Sequence, residues 1–252
     1  MMYIKILLRL LIRIFIQKPV KTLRTIRSKE RFLGTIWLEA NKKNISYLIK
    51  FIGKDEKLLN EAKEFEKNFL IKKKNIIKNL PITGGLKGYT GGGGGNIFIL
   101  YYIVRYFKPD VVIESGVSAG NSSSTIVQAL EKNNNGNLYS SDLATHLEKK
   151  DIGILIPNYL KYRWKLFEKG DKINLPEILD QVNNIDIVYY DSEKSYQGKK
   201  NFMETIFKKF NPEIIIIDDI DRDYWFRDFV KTKYKKYEYL VVKNVGYLFK
   251  IN

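Results

Sequence analysis

The sequence predicts an α/β fold in which a mostly parallel sheet carries helices on both faces. From residue 96 onward, short apolar runs alternate with helical patterns, and the runs lack the polar and apolar alternation of a half-exposed strand. Strands buried on both faces of a parallel sheet show that continuous apolar pattern. The last two runs flank a short polar turn, which indicates a hairpin. We therefore expect a doubly wound, seven-stranded sheet with a C-terminal antiparallel hairpin, preceded by N-terminal helices.

The individual elements follow this alternation to the end of the chain. The strand candidates are residues 111–113, 138–139, 164–167, 185–190, 214–217, 237–242 and 247–251. The helix candidates between them are residues 97–107, 122–131, 176–181 and 196–209. Upstream, residues 29–52 and 55–78 each have the periodicity of an amphipathic helix.

A glycine-rich stretch separates these upstream helices from the sheet. Residues 81–96 include five consecutive glycines, Gly91 to Gly95, and such a composition is too costly in entropy for a helix or a strand. The stretch is either a flexible connector or a flap that closes over a ligand. We therefore expect three regions: an N-terminal segment (1–31), a helical region with the glycine-rich loop (32–95), and a domain that carries the chemistry (96–252).

The N-terminal segment is basic and amphipathic. Residues 3–16 are apolar except for Lys5, Arg9 and Arg13, whose spacing places a cationic stripe along one side of a helix. The stretch is shorter than the roughly 20 apolar residues that a membrane span needs. Further basic residues up to Arg31 favour attraction to anionic lipid headgroups. The alternative is packing on the core or on a partner subunit. The expected location is cytoplasmic, with possible contact at the inner membrane surface.

Composition excludes several kinds of chemistry. The chain has no cysteine, which rules out disulfides, thiolate metal sites and cysteine nucleophiles, and its single histidine is His146. The formal charge of +16 would suit nucleic acid, an anionic membrane or acidic substrates. Lysines are spread throughout the chain instead of forming one block, so nucleic-acid binding is the less favoured interpretation.

The segment after the first strand has the pattern of a cofactor site. Strand 111–113 runs into Glu114-Ser115-Gly116-Val117-Ser118-Ala119-Gly120 and then into a helix. In an open α/β sheet, the ligand lies beyond the carboxyl ends of the strands. The spacing Gly-x-Gly-x-x-Gly of nicotinamide cofactor sites is absent, and an acid before the first glycine would repel pyrophosphate. A second acid, Asp142, follows the next strand, where its two oxygens could accept hydrogen bonds from two ribose hydroxyls.

These residues resemble the class I S-adenosyl-L-methionine-dependent methyltransferases. The first motif of that family runs acid-x-Gly-x-x-x-Gly, and its second strand ends in a ribose-binding acid. The resemblance covers roughly residues 96–252 and implies a Rossmann-like core with S-adenosyl-L-methionine as cofactor. The family commonly places an acid or amide beside the adenine after the third strand, at Asp171 here. The resemblance thus implies cofactor-binding roles for Glu114, Gly116, Gly120, Ser122, Asp142 and, more weakly, Asp171.

Three carboxylates end two later strands. Asp191 follows strand 185–190, and Asp218 with Asp219 follows strand 214–217. Such a cluster is repulsive unless it is protonated, paired with cations or bound to a metal such as Mg²⁺, Mn²⁺ or Ca²⁺. The arrangement resembles the catechol and small-molecule or sugar O-methyltransferases. That resemblance implies metal ligands at Asp191, Asp218 and Asp219, and a general base at Lys194, so that Asp191 and Lys194 are the expected catalytic residues.

The segment Asp191-Ser192-Glu193-Lys194-Ser195-Tyr196 departs from one branch of that family. Bacterial sugar and macrolide methyltransferases usually have Asp-Gly-Asp-His-Ser-Tyr, and the histidine is missing here. Lys194 either replaces it as the base or only pairs with Asp191 or Glu193. His146, shortly after Asp142, either contacts adenine or substrate or has no role in the site.

The favoured interpretation is O-methylation of a hydroxylated small molecule or a sugar or glycan precursor. A nucleic-acid methyltransferase is an alternative, but the Asn-Pro-Pro-aromatic motif common in base N-methylation is absent after strand 185–190. A membrane-associated binding module with a degenerate methyltransferase fold is another, and it would bind cofactor without transferring methyl groups. Binding of a nicotinamide cofactor would instead favour an oxidoreductase.

Overall fold

The computed structural model describes residues 29–78, 96–143, 149–232 and 236–251. The amphipathic stretch 3–16, the five-glycine run and His146 lie outside these ranges. The described helices are α1 (Lys29–Asn41), α2 (Ile45–Ile52), α3 (Glu56–Lys78), α4 (Ile97–Phe107), α5 (Asn121–Asn133), α6 (Asp171–Leu179), α7 (Tyr196–Phe207) and α8 (Trp225–Thr232). None of them combines the length and the apolar composition that a membrane crossing requires. The strands are β1 (Lys42–Lys43), β2 (Val111–Ser115), β3 (Asn137–Ser141), β4 (Trp164–Phe167), β5 (Ile187–Tyr190), β6 (Ile214–Ile217), β7 (Tyr237–Val242) and β8 (Val245–Lys250).

Within the described ranges, eight strands form one sheet in the order β1-β7-β8-β6-β5-β2-β3-β4. Strands β2 to β6 pair in parallel, whereas β8 is antiparallel to both β6 and β7. The predicted parallel sheet and its C-terminal antiparallel hairpin are therefore confirmed.

The eighth strand, β1, corrects the prediction of seven strands and of one helix over residues 29–52. Lys42 and Lys43 pair in parallel with Val241 and Val242 of β7 and divide that stretch into α1 and α2. The second helix restarts at a cap, since the Asn44 Oδ1 accepts a hydrogen bond of 2.8 Å from the Tyr47 N–H. Because β1 consists of two lysines and no apolar residue, the sequence pattern does not indicate a strand here. The strand forms through its pairing with β7.

The chain changes direction across the sheet between β2 and β5. From β2 it proceeds outward to β3 and β4, then returns to place β5 and β6 on the other side of β2. Loops that follow β2 and β5 therefore face each other at the carboxyl edge of the sheet. A doubly wound sheet forms its ligand crevice at such a switch point.

Both faces of the sheet are covered by buried apolar side chains. On one face, α4 and α5 pack Ile103 and Ile126 against Val112 of β2. On the other face, α6 and α7 pack Ile178 and Phe202 against the alternate strand residues. The helix α3 packs on α4, where the rings of Phe65 and Tyr101 stack with centroids 4.0 Å apart. The core thus fixes the strand ends that carry the polar residues.

Candidate active site

The loop after β2 depends on its two glycines. Gly116 has a φ of 90° and Gly120 a φ of 89°, both in the left-handed region that favours glycine. A Cβ at Gly116 would lie 2.6 Å from the Asp191 carbonyl oxygen, and one at Gly120 would lie 2.9 Å from the Cα of Gly153. Side chains at these positions would push the loop away from its neighbours, so both predicted glycines are required by the local geometry.

Asp142, at the end of β3, holds the same loop. Its Oδ2 accepts hydrogen bonds from the backbone N–H groups of Val117, at 2.7 Å, and Ser118, at 2.9 Å. The half-buried carboxylate therefore lies at the switch point, beside the glycine loop, where the sequence predicted a ribose-binding acid. The sequence did not predict that this acid would also tie the loop to β3.

Glu114 lies below the loop, completely buried between the sheet and the first turn of α5. Its Oε2 accepts hydrogen bonds of 2.6 Å from the hydroxyls of Ser123 and Ser140. Burial raises the pKa of Glu114 to about 7, although the hydrogen bond from Ser122 acts in the opposite direction. Among the described residues, the Glu114 Oε1 has no hydrogen-bond partner. Ser122 is buried as well, so both residues support the loop from beneath.

Asp171, the first residue of α6, joins the ends of β2 and β5. Its Oδ2 accepts hydrogen bonds from the hydroxyl of Ser115, at 2.5 Å, and from that of Ser192, at 3.0 Å. The end of β2, the start of α6 and the loop after β5 therefore meet at one carboxylate. Serine in a loop gives no signal of such a contact in the sequence, and neither serine was singled out.

The predicted acidic cluster forms at the ends of β5 and β6, with Lys194 inside it. The Lys194 ammonium forms an ion pair with the Asp191 Oδ1, donates to the Asp191 carbonyl oxygen at 2.9 Å, and lies 3.5 Å from the Asp219 Oδ2. Burial raises the pKa of Asp191, although the positive charge of Lys194 acts to lower it. Burial, followed by the nearby charge of Asp191, raises the pKa of Asp218 to about 7. The pairing of Lys194 with Asp191 is therefore observed, and its role as a base stays a prediction.

Asn244, in the turn between β7 and β8, completes this cluster. Its Nδ2 donates to the Oδ1 of Asp218 at 3.2 Å and to the Oδ1 of Asp219 at 3.0 Å. The main-chain carbonyl oxygen of Asn244 accepts a hydrogen bond of 2.9 Å from the Ile220 N–H, which fixes the turn against the loop after β6. The sequence marked Asn244 only as part of a hairpin turn, because nothing local connects it to β6.

A buried ion pair lies behind the cluster. Lys199 is fully buried, and its ammonium lies 2.6 Å from the Asp223 Oδ2 and 3.4 Å from the Asp219 carbonyl oxygen. The Asp223 Oδ1 accepts from the Trp225 N–H at 2.7 Å, so Asp223 also holds the first residue of α8. Together these contacts hold the segment that follows β6.

The three aspartates predicted as metal ligands thus meet at one edge of the sheet. Within the part of the chain that the structure describes, however, no group of three or more His, Cys, Asp or Glu side chains is arranged to hold a metal ion. The Lys194 ammonium and the Asn244 amide lie among the carboxylates instead. As the residues stand, the donor set does not fit a divalent cation.

Comparison with known proteins agrees with the sequence motifs. Residues 113–220 match a family model described as "Methyltransferase domain". No curated protein matches the chain. A methyltransferase from Podospora anserina, solved with SAH bound, has a TM-score of 0.50 and 15% identity over 79% of this chain and 98% of its own. This likeness confirms the α/β fold.

Two further solved structures are similar to the chain with slightly lower TM-scores. CalS11, a TDP-rhamnose 3'-O-methyltransferase of calicheamicin biosynthesis, has a TM-score of 0.49 and 17% identity over 73% of this chain and 94% of its own. An O-methyltransferase from Bacillus cereus, in complex with SAH, has a TM-score of 0.49 and 15% identity over 84% of this chain and 100% of its own.

Proposed function

We propose that this chain, whose residues 113–220 match a methyltransferase family model, transfers the methyl group of S-adenosyl-L-methionine to a hydroxyl of a small molecule or of a sugar or glycan precursor. The observation that carries the proposal is the meeting of two sets of residues at the switch point. One set, Asp142 and Asp171 with the glycine loop, suits a ligand that bears hydroxyls and a positive charge. The other, Asp191, Lys194 and Asp219, suits an acceptor that must lose a proton.

The cofactor would be held by the residues around the loop after β2. Asp142 would bind the ribose hydroxyls, and Asp171 would face the adenine side. Gly116 and Gly120 would keep the loop in the shape that the cofactor needs, and Glu114 with Ser122 would support that loop from below. An acidic donor set of this kind would repel a pyrophosphate and attract a sulfonium ion. The sulfonium supplies an electrophilic methyl group.

The acceptor hydroxyl would bind beside the Lys194 and Asp191 pair. The bound cofactor would supply an electrophilic methyl group to the acceptor oxygen, with S-adenosylhomocysteine as the leaving group, and the Asp191 carboxylate would accept the hydroxyl proton. Lys194 donates hydrogen bonds, which would stabilise negative charge that develops on the acceptor oxygen. Because the donor set does not fit a divalent cation, the proposed steps use protein groups only.

The proposal is tested first by calorimetric titration with S-adenosyl-L-methionine and S-adenosylhomocysteine. We expect both to bind, and we expect Asp142→Ala to weaken binding by about tenfold or more because a charged hydrogen-bonding partner is lost. Asp191→Asn should bind the cofactor normally and lose methyl transfer in a screen of hydroxylated acceptors with radiolabelled methyl donor. If the parent chain binds neither ligand, the methyltransferase proposal fails.

We further propose that residues 3–31 place the enzyme against an anionic membrane surface on the cytoplasmic side. The cationic stripe and the basic residues that follow it support this placement. Co-sedimentation with vesicles containing phosphatidylglycerol should be lost when residues 1–28 are deleted. Equal sedimentation of both forms would favour packing of this segment on protein.

A further inference from the structure

We propose that Lys194 is a tethered cation that replaces the divalent ion among Asp191, Asp218 and Asp219, so that methyl transfer by this chain does not depend on divalent metal. The catalytic consequence rests on the proposed function. The placement of the Lys194 ammonium among the carboxylates is argued from the geometry alone. This placement can be tested without a methyl acceptor.

The position of the ammonium is the first observation. Lys194 contacts the carboxylate and the carbonyl oxygen of Asp191 and lies 3.5 Å from the Asp219 Oδ2. One nitrogen therefore bridges the carboxyl ends of β5 and β6, where a metal ion would have to bind both carboxylates. A Mg²⁺ ion needs oxygens at about 2.0 Å in octahedral geometry, and it cannot share this space with an ammonium group.

The orientation of Asn244 is the second observation. An amide coordinates a cation through its oxygen, yet Asn244 directs its nitrogen at the Oδ1 atoms of Asp218 and Asp219. The Asp218 Oδ1 also accepts from the Asp219 N–H at 2.7 Å. The Oδ1 atoms of Asp218 and Asp219 thus already accept hydrogen bonds from protein donors, so they are not directed together at one metal ion.

Charge balance is the third observation. The Oδ2 of Asp219 lies between two cations, since the Arg222 Nε is 3.7 Å away and the Lys194 ammonium 3.5 Å away. Asp191 and Asp219 are therefore already compensated by protein groups. Removal of the Lys194 charge would leave two neighbouring carboxylates in a partly buried setting, and such a pair attracts a replacement cation.

The decisive experiment measures Mn²⁺ binding to the full-length chain by electron paramagnetic resonance. We expect Lys194→Met to bind Mn²⁺ at least about tenfold more tightly than the parent chain, because two carboxylates become available. Adding Asp191→Asn to Lys194→Met should abolish that site. Lys208→Met, at an exposed position just after the C-terminal end of α7, is the matched control and should bind Mn²⁺ as the parent does. A cooperative thermal unfolding transition for each variant confirms that it folds, whether or not it binds S-adenosylhomocysteine.

A second measurement concerns activity and separates a tethered cation from a general base. A guanidinium keeps its charge and cannot act as a base. We expect Lys194→Arg to keep at least about a tenth of the parent activity, whereas Lys194→Met loses roughly 100-fold. The parent activity should be unchanged by a chelator.

Two results would overturn the inference: tight Mn²⁺ binding by the parent chain that Asp191→Asn removes, or Lys194→Met that folds and gains no Mn²⁺ site. Absence of cofactor binding by the parent would instead count against the proposed function, and the Mn²⁺ titration would still decide the placement of the cation.

Discussion

Replacing Lys199 by methionine should strongly destabilise the fold. The ammonium is completely buried and lies 2.6 Å from the Asp223 Oδ2, whose side chain is 7% exposed. Removing one partner of a buried ion pair costs about 3 to 5 kcal/mol, because the other charge remains buried without its counterion. Asp223 keeps its hydrogen bond from the Trp225 N–H, so we expect a loss near the lower end, about 3 kcal/mol. For a chain of this size, that loss lowers Tm by roughly 6 to 12 °C.

The assay is urea unfolding followed by tryptophan fluorescence, with thermal unfolding as a check. The double variant Lys199→Met/Asp223→Asn should recover at least about 1 kcal/mol, because the uncompensated charge is gone while the amide oxygen can still accept from the Trp225 N–H. Lys208→Met, at an exposed position near the end of α7, should change stability by less than about 0.5 kcal/mol. A loss below about 1 kcal/mol for Lys199→Met, or a double variant less stable than the single one, would refute the reasoning.

Three further predictions concern the site. Gly116→Ala should weaken S-adenosylhomocysteine binding by about tenfold or more in calorimetry, since its Cβ would lie 2.6 Å from the Asp191 carbonyl oxygen at a φ of 90°; unchanged affinity would contradict this. Burial raises the pKa of Glu114 from 4.5 to about 7, so the folded state holds the proton more tightly, and this stability is present below pH 4.5 and lost as the pH rises through 7. Glu114→Gln should therefore flatten the decrease in unfolding free energy between pH 5 and 7, and an unaltered slope would show that other groups cause it. Asn244→Ala should lower kcat/KM by about five- to tenfold, because Asp218 loses a hydrogen-bond donor, while cofactor affinity stays the same; an equal loss of cofactor affinity would indicate a wider collapse of the site.

The sequence predicted the strands best where their apolar character alone defines them. Strand 214–217 has the predicted bounds because it is a run of four isoleucines that are all buried. Strands 164–167 and 237–242 also have the predicted bounds, although each carries one exposed charged residue, Lys165 or Glu238. The helix predicted at residues 176–181 instead spans Asp171–Leu179, and Pro176 lies inside it. Proline favours the first turn of a helix, but the preceding Gly170 and the contacts of Asp171 set the true beginning here.

The sequence likewise predicted only part of the candidate site. The meeting of Asp191 with Asp218 and Asp219 followed from topology, because the carboxyl ends of adjacent parallel strands lie at one edge. The position of Lys194 between two of them, and the contact of Asn244 with the loop after β6, depend on side chains from elements far apart in sequence. Local patterns carry no information about such contacts, and only the packed fold defines them.

The two-residue strand β1 determines how the chain can be shortened. By pairing with Val241 and Val242, Lys42 and Lys43 cover the outer edge of β7, which would otherwise present unpaired backbone groups to solvent. A fragment that begins at residue 96 would keep residues 113–220, which match the methyltransferase family model, but would expose this strand. Uncovered strands pair readily with those of other molecules, so such a fragment should aggregate during expression, whereas one that begins at residue 29 should stay monodisperse.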